Sequence, residues 1–169
     1  MFIQRSLHLP AAGTETFFLW GPRQTGKTTL LRRAYPDAWW IDLLKSEEYR
    51  RYLQQPELLR QELADEDPTL RRQVVIDEVQ KVPALLDEVH WLLENRGFQV
   101  ALCGSSARKV KRGAANLLGG RAVRYELHGF SASELGREFN LDRLLNHGYL
   151  PRFYASARPR RLLDAYVAD

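Results

Sequence analysis

The sequence predicts an α/β domain in which a five-stranded parallel sheet alternates with helices and a helical segment follows. Three observations carry this reading. Short apolar runs alternate with stretches of helical periodicity, the first run stops at a glycine, and the third stops at a pair of carboxylates.

The elements follow in order. Thr16-Phe-Phe-Leu-Trp20 reads as a buried strand feeding a turn at Gly21. Lys27 to Ala34 reads as a helix stopped at Tyr35-Pro36, because proline disfavours helical backbone in the residue before it. Ala38-Trp-Trp-Ile-Asp-Leu43 is the second strand, with Trp39-Trp40 assigned to core rather than to base stacking. Residues 47–63 follow as two short helices broken at Pro56. Gln73-Val-Val-Ile76 is the third strand. Residues 83–95 then set Leu85, Leu86, Val89, Leu92 and Leu93 on one helical face and close at Gly97. Residues 98–103 form a fourth strand ending in Gly104-Ser-Ser106, and residues 122–127 form a fifth after a basic helical stretch. Ser131-Ala-Ser-Glu134 has capping-box spacing, residues 141–145 are a further helical piece, and residues 160–169 begin an amphipathic helix. We therefore divide the chain into a core at 1–130 and a helical segment at 131–169. The last helix stops without a capping glycine or polar tail, so the chain is expected to be cut short.

Composition narrows the classes. At 169 residues, with 44% hydrophobic and 27% charged residues, the chain suits one globular domain and no disordered or fibrous class. Cys103 is the single cysteine, which excludes an intrachain disulfide and a cysteine zinc site and fits a cytoplasmic setting. No run approaches the roughly 20 apolar residues of a membrane helix. The net charge of +4 is too small to specify a polyanionic partner.

Gly21-Pro-Arg-Gln-Thr-Gly-Lys-Thr28 lies between a strand and a helix, the context of a phosphate-binding loop. Its glycines let backbone N–H groups converge on phosphate oxygens without a Cβ in the way. The cradle comprises Gly21, Pro22, Arg23, Gln24, Thr25, Gly26, Lys27, Thr28 and Thr29. Lys27 supplies a charge at the β- and γ-phosphates, and the Thr28 hydroxyl is placed to ligand Mg²⁺. Asp77, at the end of an apolar strand, needs a cation to justify its position, so Thr28 and Asp77 form the candidate metal pair. Glu78 follows as the residue that polarises water. Taken alone, an acidic pair there also suits a helix N-terminus.

An extra strand separates the phosphate loop from Asp77-Glu78, as in a group of P-loop ATPases whose sheet order is 5-1-4-3-2, and no guanine-reading Asn-Lys-x-Asp occurs. ATP with Mg²⁺ is therefore the expected ligand. In that plan the fourth strand lies beside the first, which brings Ser105 and Ser106 near the γ-phosphate as sensors, although serines also suit a turn opening a helix. Arg121 lies where related ATPases present an arginine to a neighbouring subunit, but it also reads as a solvated arginine in a glycine turn. Arg108, Lys109, Lys111 and Arg112 read as a solvated helix face, with nucleic-acid contact as the other reading.

With these residues in place, the chain resembles a family of prokaryotic AAA+-like ATPases whose phosphate loop reads Gly-Pro-Arg-Gln-x-Gly-Lys-Thr-Thr-Leu. The resemblance runs through Gly21 to Leu30, Ile76-Asp-Glu-Val-Gln80 with Pro83, Gly104-Ser-Ser106 and Gly120-Arg121. It implies a three-layer P-loop sandwich, ATP binding and hydrolysis, a homo-oligomer in which Arg121 acts in trans, and a longer C-terminal region that begins here at Gly148-Tyr-Leu-Pro151. A module that binds ATP as a switch with little turnover of its own is the competing expectation.

Overall fold

The structure is a computed structural model and describes residues 3–67, 72–105 and 118–168. Its strands are β1 (Phe17–Trp20), β2 (Trp39–Asp42), β3 (Val74–Asp77), β4 (Val100–Gly104) and β5 (Val123–Glu126). They form one sheet in the order β2-β3-β4-β1-β5, every pair parallel, which is the predicted order read from the other edge. β1, β3 and β4 are buried at every residue. Strands covered on both faces need no polar alternation, which is why they stand out as unbroken apolar runs. β5 is the edge strand beyond β1, and its Val123, Arg124 and Glu126 are exposed. Charged residues there discourage pairing with another chain.

The helices are α1 (Lys27–Ala34), α2 (Ser46–Gln54), α3 (Leu58–Glu62) and α4 (Leu85–Arg96) in the core. The alternation of strand residues divides the interior in two. On one face Phe18, Trp20, Ile41, Ile76 and Leu102 pack with Tyr52, Leu59, Leu85, Val89 and Leu92 from α2 to α4. On the other, Phe17, Leu19, Val75 and Ala101 pack with Leu31 of α1 and Tyr35, and Leu7, Leu9 and Ala12 of the N-terminal segment complete the cover. Pro56 falls between α2 and α3, and Gly97, with φ 71°, ends α4. Trp39 and Trp40 are only half-buried. They pack at the margins of the two faces, with the Arg72 and Arg32 guanidinium groups 5.7 and 4.3 Å from their ring centroids.

Beyond β5 come α5 (Ala132–Leu135), α6 (Leu141–His147), α7 (Pro151–Tyr154) and α8 (Pro159–Ala168). The predicted capping box is formed: Ser131 Oγ accepts from the Glu134 N–H and Glu134 Oε2 from the Ser131 N–H. The Tyr154 hydroxyl donates to Glu138 O at 2.6 Å and accepts from the Asn140 N–H at 3.2 Å, tying α6 to α7. Phe130 N–H donates to Tyr149 O at 2.6 Å, which joins this segment to the chain leaving β5.

Leu31 is fully buried and is the main anchor of α1 beneath the sheet. Leu31→Ala is expected to cost about 3 kcal/mol, from lost transfer energy plus the cavity left behind. Denaturant unfolding checks it, and a loss under about 1 kcal/mol would show that α1 is held by other contacts.

Candidate nucleotide-binding site

The loop between β1 and α1 is closely supported. Gly21, at φ 157°, lies against the chain leaving β5, where a Cβ would collide with Leu127 O, and the Leu127 N–H donates to Trp20 O at 2.8 Å. Gln24 (φ 66°) and Gly26 (φ 93°) take left-handed backbone, so the loop curls through nearly its whole length. Lys27 is 6% exposed, and its Nζ donates to Gly21 O at 2.8 Å and Pro22 O at 2.9 Å. The ammonium thus sits within the curl. The buried Thr25 hydroxyl also donates to Pro22 O, at 3.0 Å. Arg23 and Gln24 are exposed, with Thr28 and Thr29 on the exposed side of the first turn of α1.

β3 delivers Asp77 to the same place. Its carboxylate is 2% exposed and Oδ2 accepts from the Thr28 hydroxyl at 2.8 Å. Oδ1 is buried without a hydrogen-bond partner. An orphaned carboxylate oxygen beside a threonine hydroxyl and a phosphate loop fits Mg²⁺, which takes one or two protein oxygens and completes its octahedron with phosphate and water. No cluster of three or more histidine, cysteine, aspartate or glutamate side chains able to hold a metal occurs among the described residues. Cys103, the β4 residue in register with Asp77, has its thiol pushed well up by burial first and then by the adjoining Asp77 carboxylate. It is a packing residue and not a nucleophile.

Glu78 follows Asp77 at φ 61°, an uncommon conformation for a side chain of its size. Its Oε2 accepts from Gln80 Nε2, which also donates to Ser105 Oγ at 3.3 Å. Glu78, Gln80 and Ser105 therefore meet at the C-terminal ends of β3 and β4. Gln80 has no role in the sequence-based reading beyond belonging to the Ile76–Gln80 block. Ser106 and the basic positions 108, 109, 111 and 112 lie outside the described residues.

Arg121 is not brought to this loop. It precedes β5, whose first residue pairs with Phe17, so it stands at the opposite end of the sheet from Gly21. There its Nε donates to Glu94 Oε1, and the side chain remains 43% exposed.

A cavity of about 540 Å³ adjoins the loop, lined by Leu7, Leu9, Thr25, Gly26, Leu30 and Phe130 among others. Arg5 closes one side. It donates to Thr25 O (2.7 Å), His128 O (2.6 Å), Gly129 O (3.1 Å) and Glu134 Oε1 (3.1 Å), with its guanidinium 5.2 Å from the Phe130 ring centroid. Burial pushes the Glu134 carboxyl up, but N–H groups of Ser131 and Ser6, then Arg5 and the Ser6 hydroxyl, outweigh it and hold the pKa at about 2. Neither Arg5 nor the cavity carries a sequence motif, so both escape a motif-based reading.

A family model described as an AAA domain matches residues 14–136, from just before β1 to the end of α5. The match supports a nucleotide-binding, ATPase-like function. No curated protein matches the chain. Among the described residues no helix is long and apolar enough to cross a membrane.

Two outcomes test this geometry. Because Glu134 is held at about 2 against an ordinary 4.5, its contribution to stability is complete above about pH 4.5 and is lost as the pH falls from there through 2. Glu134→Gln should therefore flatten the dependence of the thermal midpoint on pH across that window, and an unchanged slope would refute the clasp. Glu78→Gly should be more stable than Glu78→Ala by about 1 kcal/mol, because both lose the carboxylate and only alanine keeps the left-handed strain. Equal unfolding midpoints would show that the backbone there is unstrained.

Proposed function

We propose that this chain, which belongs to the AAA domain family, binds ATP with Mg²⁺ and hydrolyses its β–γ phosphoanhydride. The observation that carries the reading is Asp77, a buried carboxylate with one oxygen on the Thr28 hydroxyl and the other unpartnered, one strand away from a loop that encloses a lysine ammonium. Such a carboxylate is costly to bury, and its hydrogen bond to Thr28 leaves the other oxygen uncompensated.

The residues divide the work. Backbone N–H groups from Gly21 to Thr29 and the Lys27 ammonium hold the β- and γ-phosphates, and Lys27 exchanges its carbonyl partners for phosphate oxygens. Thr28 and Asp77 would hold Mg²⁺, which when bound neutralises charge developing on the phosphate oxygens. Glu78 accepts a hydrogen bond from the attacking water and Ser105 donates to the γ-phosphate. The apolar cavity beside α1 takes the base, with Leu30 and Phe130 as its walls. Its position beside Gly26 puts the base within reach of phosphates held in the loop.

Lys27→Ala should abolish measurable ATP binding. Glu78→Gln should bind ATP within about threefold of the unmodified chain while turnover falls at least about a hundredfold. Turnover that survives unchanged in Glu78→Gln removes that residue from its role.

A second reading, a switch that turns over only in an assembly, is favoured by one observation: Arg121 is at the far end of the sheet, held by Glu94. An arginine there reaches a γ-phosphate only from another subunit. Specific ATPase activity should then rise with protein concentration, and Arg121→Ala should lower the plateau about 10³-fold, the scale of an arginine supplied in trans. Brisk activity independent of concentration, with Arg121→Ala silent, would sink this reading.

A further inference from the structure

Gln80 lies in the short turn Val79–Lys81 after β3 and is half-buried between two groups from neighbouring strands. Its Nε2 donates to Glu78 Oε2 and, at 3.3 Å, to Ser105 Oγ. Its Oε1 is buried with no hydrogen-bond partner, an arrangement that packing alone does not explain. The orientation of the amide follows from charge, since turning it over would press Oε1 against the Glu78 carboxylate. The backbone makes room for this side chain: a Cβ on Gly104 would collide with Gln80 Oε1 and the Trp20 ring.

We propose that Gln80 is a positioning residue that fixes the Glu78 carboxylate and the Ser105 hydroxyl relative to each other. A primary amide nitrogen carries two N–H groups, so one serves each partner at once. Ser105 Oγ, by accepting from Gln80, must turn its own hydrogen elsewhere and is left as a donor toward the phosphate side. Glu78, with Oε2 engaged, keeps Oε1 as the oxygen that accepts from water. Neither strand alone supplies this alignment, because Glu78 leaves β3 through a left-handed residue and Ser105 leaves β4 one residue beyond the last strand position.

The inference rests on the hydrolase reading for its consequence but not for its geometry, so two measurements separate them. In ¹⁵N-labelled protein both Gln80 side-chain N–H protons should be displaced from ordinary solvated positions, one moving in Glu78→Ala and the other in Ser105→Ala. Two protons at ordinary solvated positions, indifferent to both variants, overturn the proposal whether or not ATP is hydrolysed. In steady-state kinetics Gln80→Leu should lower kcat roughly 10- to 100-fold with KM for ATP within about threefold, and Gln80→Leu/Ser105→Ala should fall no more than about threefold below the worse single variant. Multiplicative losses, or a rise in KM that accounts for the defect, overturn it. If the unmodified chain shows no turnover the hydrolase reading fails, and the labelled side chain still decides the role of Gln80.

Discussion

The buried carboxylate of Asp77 is the constraint around which the molecule is arranged. A charged group 2% exposed at the C-terminal end of an inner strand is tolerated only with compensating partners, and the structure supplies one directly in Thr28. That single hydrogen bond fixes the first turn of α1 against β3 although β4 lies between β1, the strand that leads into α1, and β3 in the sheet order. The placement requires a strand inserted between β1 and β3 in sequence to lie outside them in space, as β2 does at the edge. Parallel pairing then brings the ends of β1, β3 and β4 to one rim, where Gly21, Glu78 and Ser105 emerge together.

Close support at the rim comes from backbone contacts as well as from side chains. Gly21 touches Leu127 O, and Gln24 and Glu78 both occupy left-handed backbone. Such strain persists only where neighbours over-determine it. At the loop the neighbours are the chain leaving β5 on one side and Arg5 on the other, whose bonds to Thr25 O, His128 O and Gly129 O gather the loop and the exit of β5 onto one cation. The loop is thereby held in its curled form by contacts within the chain, and preorganisation of this kind reduces the ordering cost of binding a ligand.

The strands were legible because those buried on both faces leave apolar runs that end at glycine or carboxylate, whereas the sheet order came from the plan of ATPases that insert a strand between the phosphate loop and Asp77. Gly21 and Asp77 mark those ends without reference to anything distant. β2 was legible as a strand but not in its burial: an edge strand closed by Arg32 and Arg72 leaves Trp39 and Trp40 half-covered, and a tryptophan pair gives no hint of which cations will lie over it. Gln80 was hidden for a different reason. Its meaning lies in a contact with Ser105, 25 positions away, that only strand pairing creates. Arg5 is more remote still, since its partner Glu134 is 129 positions on and the capping box already gave that glutamate a sufficient local explanation.

Glu134 shows how local and tertiary demands can share one group. Oε2 closes the capping box on Ser131, while Oε1 accepts from Arg5 Nε, Ser6 N–H and the Ser6 hydroxyl. A carboxylate with this many donors offsets the burial of Arg5, and Arg5 in turn is the only described side chain that bonds both the phosphate loop and the helical segment. The cavity beside the loop lies along the same cation, with Phe130 under the guanidinium and Thr25 at its rim. Motion of α5 away from the core would therefore cost the ion pair between Arg5 and Glu134. Cavity, loop and helical segment share one set of contacts, so a ligand bridging loop and cavity stabilises the packed position of α5 to the extent that it binds that position more tightly than the displaced one.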